Sequence, residues 1–161
     1  MAREITLSRG LIALVDDVDY ERVAAKRWSV VRARQIAEVY YARHAFWVDG
    51  KSQSILLHRF ILDAPAGQPV DHVNGDRLDC RRANLRFCTL SQNAANRAPR
   101  PNAFKGVNRR SSRWEAHIKV DGVDFYLGTH DAPEDAARAY DRAAIERFGQ
   151  FARVNFPDVA A

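Results

Sequence analysis

The stretch Val70-Asp71-His72-Val73-Asn74-Gly75-Asp76-Arg77-Leu78-Asp79-Cys80-Arg81-Arg82-Ala83-Asn84-Leu85-Arg86-Phe87-Cys88-Thr89-Leu90-Ser91-Gln92-Asn93 decides how the chain is read. Asp71 and His72 close a short apolar run. Asn74-Gly75 is among the strongest turn dipeptides, and Asp76 extends the turn. Leu85-Arg86-Phe87-Cys88-Thr89 alternates apolar and polar as a strand does. Ser91 is placed to cap a short helix carrying Asn93 in its first turn. The expected order is strand, loop, strand, helix, with the helix start returning Asn93 toward Asp71 and His72. Asp71 and Asn93 offer oxygen ligands that suit a hard cation such as magnesium. His72 titrates near neutrality and can serve as a general base. Amid Arg77, Arg81, Arg82 and Arg86, that set suits metal-assisted attack of water on a phosphodiester. Taken singly, an Asp-His pair belongs to a surface turn, Asn84 to a turn and Asn93 to a helix cap. The joint spacing is what makes a site of them.

Asp71-His72, then Asn84 twelve residues after the histidine, then Asn93 nine further on, resembles an HNH endonuclease with the ββα-metal fold. The flanking Leu57-His58-Arg59-Phe60-Ile61-Leu62 and Asn84-Leu85-Arg86-Phe87-Cys88-Thr89 resemble the homing branch of that family. The resemblance spans residues 55 to 97. It implies His72 as general base, Asp71 as a metal ligand, and Asn84 as the residue fixing the His72 ring. Asn93 stands where many members carry a final histidine, so the motif is His-Asn-Asn and the amide oxygen would bind the metal. The implied cofactor is a divalent metal, magnesium with manganese as the substitute, and no organic cofactor is implied. The implied products carry 5′-phosphate and 3′-hydroxyl ends.

The 161 residues leave room for one domain or two small ones. Hydrophobic residues at 47% and charged residues at 28% are an ordinary soluble balance. No apolar run approaches the roughly 18 residues that span a membrane, and Met1-Ala2-Arg3-Glu4 leads straight into alternating residues without a cleavable signal. The expected location is intracellular and cytoplasmic, in a bacterial or phage-encoded setting. Lys and Arg number 25 against 20 acids, for a net +5 and a pI of about 9.6, which permits nucleic-acid binding. Cys80 and Cys88 lack C-x-x-C zinc spacing and read as reduced thiols near a core.

Residues 3 to 57 read as a supporting layer. Residues 4–8 and 11–15 are expected strands. Asp17 or Asp19 is placed to cap a helix running to about Trp28, with Tyr20, Val23, Ala24 and Trp28 on one core face. Residues 39–47 and 54–57 read as strands joined by an Asp49-Gly50 hairpin turn. His44 and His58 fall on strands and read as structural, and Arg59 is a candidate phosphate contact. After Asn93, residues 98–103 hold two prolines and no apolar periodicity, and read as an extended basic linker.

Residues 104 to 157 form a second unit of three strands and a helix. The strands are 104–110, 114–120 and 123–128, turning at Ser111-Ser112 and Asp121-Gly122. Asp131 to Glu134 has capping-box spacing, and the helix is expected to run to about Phe148, with Gly149 as an αL cap. Phe104-Lys105-Gly106-Val107, Trp114-Glu115-Ala116-His117-Ile118, Tyr126-Leu127-Gly128-Thr129, the run Glu134 to Ala144, and Val154-Asn155-Phe156-Pro157 resemble the Apetala-two or ethylene-response-factor DNA-binding domain. That resemblance implies a sheet whose outer face enters the major groove through Lys105, Asn108, Arg110, His117, Lys119, Asp124 and Tyr126. Asn108 and Asp124 replace frequent plant arginines, and Asp124 would repel phosphate unless it pairs or reads a cytosine amino group. From Arg97 to Lys119 lie seven basic residues, with Arg109 and Arg113 among them, opposed by Glu115 alone.

The reading is an α+β chain with three parts. Residues 1–97 are an HNH endonuclease domain, a ββα-metal core at 55–97 with β-rich N-terminal support. Residues 98–103 are a linker. Residues 104–157 are an Apetala-two-type domain, a three-stranded antiparallel sheet packed on one helix. The expected partner is double-stranded DNA, with no membrane partner and the oligomeric state open. Candidate DNA contacts are Arg59, Arg81, Arg82, Lys105, Asn108, Arg109, Arg110, Arg113, His117, Lys119 and Tyr126. The alternative is a non-enzymatic DNA-binding regulator with a decayed nuclease core.

Overall fold

The structure, a computed structural model, describes residues 1–32 and 39–157, so the part of the supporting layer at 33–38 lies outside the described residues. The described chain is α+β, with short helices between small antiparallel sheets. It divides into two compact units, residues 1–87 and 88–161.

In the first unit β1 (Ala2–Thr6) and β2 (Ile12–Asp16) form an antiparallel hairpin. Helix α1 follows at Asp17–Ala24. It stops short of Trp28, whose indole instead donates back to the Val23 carbonyl at 2.9 Å. Strands β3 (Ser29–Arg32), β4 (Tyr40–Val48) and β5 (Lys51–Leu56) make a second antiparallel sheet. Asp49 and Gly50 both take positive φ, 48° and 72°, as a two-residue turn matched to strand twist requires.

Residues 57–61, read in part as strand, are a helix, α2 (Leu57–Ile61). Apolar Leu57 and Ile61 stand four apart and are both fully buried, so a helical turn hides both where a strand would split its neighbours between faces. Then β6 (Val70–His72) pairs antiparallel with β7 (Leu85–Phe87), setting Asp71 opposite Arg86 and His72 opposite Leu85. Leu14 holds the β6–β7 loop, donating to the Leu78 carbonyl and accepting from the Cys80 N–H, both at 2.8 Å. One apolar core joins these elements, with Val15, Val23, Leu57 and Ile61 at its centre.

The second unit opens with α3 (Leu90–Ala95), capped by Thr89 and not by Ser91. Thr89 accepts from the Gln92 N–H, and Gln92 Oε1 accepts from the Thr89 N–H, a capping box whose cap lies two residues before the expected Ser91. Ser91 instead accepts from the Asp121 N–H at 2.9 Å. The α3 residue Ala95 packs with Ile118, Tyr140, Ala144 and Phe148. Helix α3 therefore counts with the C-terminal unit, although the sequence joins it to the nuclease motif.

Strands β8 (Val107–Arg110), β9 (Arg113–Val120) and β10 (Val123–His130) form the sheet, in order β10-β9-β8, with a register shift between Tyr126 and Gly128. Helix α4 (Pro133–Phe148) lies on it through Ala136, Ala137, Tyr140 and Ala144. Its start is not the expected Asp131–Glu134 box. Ala132 occupies the N-cap without a side-chain bond, and Pro133, whose missing N–H is no loss at that position, opens the helix. Gly149 follows the helix at φ 51° and ψ −124°, outside the αL region expected of it.

Gly106 has φ +74°, and a Cβ built there would lie 1.9 Å from Tyr140 Cδ2 and 2.6 Å from the His117 carbonyl oxygen. Gly122 has φ +87° and open space around it. Gly106→Ala should therefore cost several times what Gly122→Ala costs. We expect about 1 kcal/mol for Gly122→Ala, from backbone strain alone. For Gly106→Ala we expect more than about 3 kcal/mol, because Tyr140 must leave the core. Urea denaturation of both full-length variants measures the difference, and equal midpoints would contradict the packing.

Candidate active site

The β6–β7 pairing places Asp71 and His72 side by side, and both are buried, at 5% exposure each. The loop between the strands is built from side chains that imitate backbone turns. Asn74 Oδ1 accepts from the Asp76 N–H, and Asp76 Oδ1 from the Leu78 N–H. Asn84 staples the loop: its Oδ1 accepts from the Asn74 N–H at 2.9 Å and its Nδ2 donates to the Asp79 carbonyl at 2.8 Å. Its own carbonyl accepts from the Val73 N–H, the residue after His72. Asn84 was expected to fix the His72 ring. Its side chain fixes the loop backbone that follows the ring.

The His72 ring lies 4.8 Å from that of His58, edge to face at 79°. Tyr41 lies beside both, 5.6 Å from His58 and 6.4 Å from His72. Its hydroxyl accepts from Arg77 Nε at 2.7 Å. Burial lowers the His72 pKa to about 4, with the Arg77 charge adding to the effect and Asp71 opposing it. Burial lowers that of His58 to about 3, reinforced by His72. Both imidazoles are neutral at physiological pH, the state a proton acceptor needs. His58 and Tyr41 were missed as site members. The helical spacing of Leu57 and Ile61 was the signal that could have lifted His58 off a strand.

Asp71 accepts at Oδ2 from Arg86 Nε and Nη2, at 2.9 and 2.8 Å, and both partners are largely buried. Among the described residues no group of three or more His, Cys, Asp or Glu side chains could hold a metal ion. Magnesium takes one or two carboxylates and completes its shell with water and substrate phosphate. Asp71 fits that demand in kind, as a hard oxygen donor whose charge it shares with Arg86. Asn93 sits on α3 in the second unit, half-buried.

The motif arginines are committed inside the fold. Arg81 makes a two-point bond to the buried Asp79, and Arg82 one to the buried Asp19. Each lowers its carboxylate's pKa. Arg59 donates to the carbonyls of Gln68, Ala64 and Pro65. Arg81 and Arg82 still expose 42% and 47% of their side chains, so partial contact with an anion is open to them.

On the second unit, the face of the sheet away from α4 carries Asn108, Arg110, Glu115, His117, Lys119, Asp124 and Tyr126, as register and burial alternation set it. Its charge is more mixed than the sequence run suggested. Asp124 lies opposite Lys119, His117 sits between Glu115 and Asp124 at 3.5 and 3.4 Å, and Arg113 pairs with Asp131. Arg109 is on the other face, its guanidinium 5.8 Å from the Trp114 ring. Lys105 is turned to the end of α3, donating to the carbonyls of Ala94, Ala95 and Arg97. Burial lowers its pKa to about 8.

Residues 63–95 match the family model for HNH endonucleases. That segment is similar to HNH endonucleases. Asp71, His72, Asn84 and Asn93 all lie inside it, and His58 lies outside it. Over 140 residues the chain is 29% identical to an uncharacterized HNH endonuclease of Acanthamoeba polyphaga mimivirus, covering 83% of this chain and 73% of that protein. It is 40% identical over 97 residues to APETALA2-like protein 2 of Oryza sativa subsp. indica, covering 58% of this chain. It is 45% identical over 64 residues to an ethylene-responsive transcription factor of Lotus japonicus, covering 38% of this chain. The chain spans only 21% and 24% of those two plant proteins. The HNH segment thus occurs together with likeness to Apetala-two-type proteins over part of the chain. No helix among the described residues is long and apolar enough to cross a membrane.

The two histidines set a pH dependence of folding. Free imidazoles protonate near pH 6.5, whereas His72 and His58 in the fold resist protonation to about 4 and about 3. Below pH 6.5 the unfolded chain binds more protons than the folded one, so stability falls as pH falls. With two such groups the slope approaches about 2.7 kcal/mol per pH unit near pH 5. His58→Phe removes one group and should roughly halve that slope. Denaturation at pH 7, 6 and 5 measures it, and a flat profile would contradict the burial.

Proposed function

We propose that this chain is a metal-dependent, homing-type DNA endonuclease that hydrolyses phosphodiester bonds. The observation that carries the reading is the neutral, buried His72 fixed beside Asp71 at the end of β6 inside the HNH segment. His72 takes a proton from water as the oxygen attacks phosphorus in line. A phosphate drawn beside the ring raises its basicity toward the working pH. Asp71 would hold the divalent metal, magnesium or manganese. Such an ion stabilises the charge of the transition state and of the leaving 3′ oxygen. Asn84 keeps the loop that presents His72, and Arg86 holds the Asp71 carboxylate in place. The likeness to plant transcription factors supports double-stranded DNA as the partner of the outer sheet face. Asn108, Arg110, His117, Lys119 and Tyr126 are the contacts that face offers.

A supercoiled-plasmid nicking assay with magnesium tests the chemistry. His72→Ala should slow cleavage by about 10²–10⁴-fold with DNA affinity kept, and a chelator should abolish it. Cleavage by His72→Ala at the wild-type rate would remove the base assignment. A wild-type chain that binds DNA and never nicks would favour the regulator reading.

Salt dependence tests the DNA face. Arg110→Ala or Lys119→Ala should each reduce the salt slope of DNA binding by about 0.9, one phosphate contact. Lys105→Met should leave the slope unchanged, because that ammonium is spent on α3 carbonyls. Filter binding between 50 and 200 mM salt, a range over which phosphate contacts are well resolved, reads all three. A lowered slope for Lys105→Met would return that residue to the DNA contacts.

A further inference from the structure

We propose that His58 is a positioning residue that walls the His72 ring into its working orientation, an inference that rests on the endonuclease reading. The χ2 torsion of a histidine is broad and soft, so an imidazole at a strand end can pivot unless something stops it. His58 stops it from one side: the two rings meet edge to face at 4.8 Å and 79°. Tyr41 closes the second side, tilted at 53° to His58 and 56° to His72. The wall is itself anchored. Arg77, from the same loop as the site, donates to the Tyr41 hydroxyl and lies 5.6 Å from its ring. His58 stands in the first turn of α2, whose last carbonyls, Phe60 and Ile61, accept from Arg22 Nη2 at 2.8 and 2.7 Å.

The wall acts through shape. His58 is 6% exposed and lies outside the segment that matches the endonuclease family, so no role is assigned to it by that match. A flat ring of the same breadth should therefore serve as well as an imidazole. A methyl group should not, since it removes the ring packed against His72 and lets that imidazole shift from the attacking water. Misplacement of a reacting group by about 1 Å costs on the order of 10²-fold in rate.

The test uses the full chain with His58→Ala and His58→Phe. Three readouts are taken well below each variant's unfolding midpoint: plasmid nicking, DNA affinity, and the two-dimensional proton–carbon NMR signal of the His72 ring. His58→Ala should lose about 10- to 100-fold in kcat at unchanged DNA affinity, with the His72 signal moved or broadened. His58→Phe should restore kcat to within about threefold of wild type and the signal to a single sharp position. Normal kcat in His58→Ala overturns the proposal. So does a His58→Phe chain as slow as His58→Ala, since the ring nitrogen would then matter and not the shape. If His58→Ala does not fold, His58→Phe decides alone: near-normal kcat and a sharp signal support the wall, and loss of either overturns it. Failure of the wild-type chain to nick is a different result. It removes the endonuclease reading, while the His72 signal still shows whether His58 holds the ring.

Discussion

A single buried carboxylate, Asp19, sets the frame on which the first unit's site depends. It is 1% exposed, and an isolated charge there would be costly. Arg82 meets it with two bonds and Arg22 with a third. The same two guanidinium groups reach on to the carbonyls of Phe60 and Ile61 at the end of α2. One charge therefore ties three things: α1, which carries Asp19; α2, which carries His58; and the turn that leads into β7 and so sets the β6 register. Losing both arginines would leave that buried carboxylate uncompensated. Asp19 and Arg82 stand 63 residues apart in the chain. No local pattern announces their contact, and Asp19 reads in sequence only as a helix cap.

The same logic explains why the arginine-rich motif misleads. Arg81, Arg82 and Arg86 look like a phosphate-binding cluster by composition. In the fold each is matched to a buried acid: Asp79, Asp19 and Asp71 in turn. A sequence shows that charges are close along the chain, but the pairing is decided by which acids the core buries. What was legible was the turn chemistry. Asn74-Gly75 and Asp76 form the expected loop, because Asx side chains imitate backbone bonds from any context. The β6 and β7 strands, and so the juxtaposition of Asp71 and His72, were legible for the same reason.

In the second unit, alternation carried most of the information. Ala116 and Ile118 are buried while Lys119 is exposed, as strict period-two patterning on β9 requires. The small-residue face of α4 was also plain, and it lets the helix lie close enough that Gly106 has no room for a methyl group. What alternation could not show was the direction of Lys105, just before β8. Its ammonium ends on three carbonyls at the close of α3, where a helix leaves acceptors unsatisfied. Nor could it show that Asn155 bridges Asp141 and the Lys105 backbone. Those bonds tie Asn155 to the segment just before the first strand of the sheet. Both depend on elements that meet only after folding.

The burial of His72 is the point where stability and chemistry pull in different directions. On the proposed reading His72 would act as a proton acceptor, which needs to be neutral, and burial lowers its pKa to about 4. The same burial weakens the base, since what makes the charged imidazolium costly also makes proton uptake unfavourable. The conflict eases when an anion arrives. On the proposed endonuclease reading, a phosphodiester beside the ring would add its negative charge to that of Asp71. On that reading the imidazole would gain proton affinity when substrate is present and stay uncharged when it is not. A base held this way gives the folded chain no buried cation to stabilise in its resting state. It also makes orientation more demanding. A ring that gains its basicity from a substrate phosphate must already face that phosphate, and rings packed against it achieve this without adding charge to the pocket.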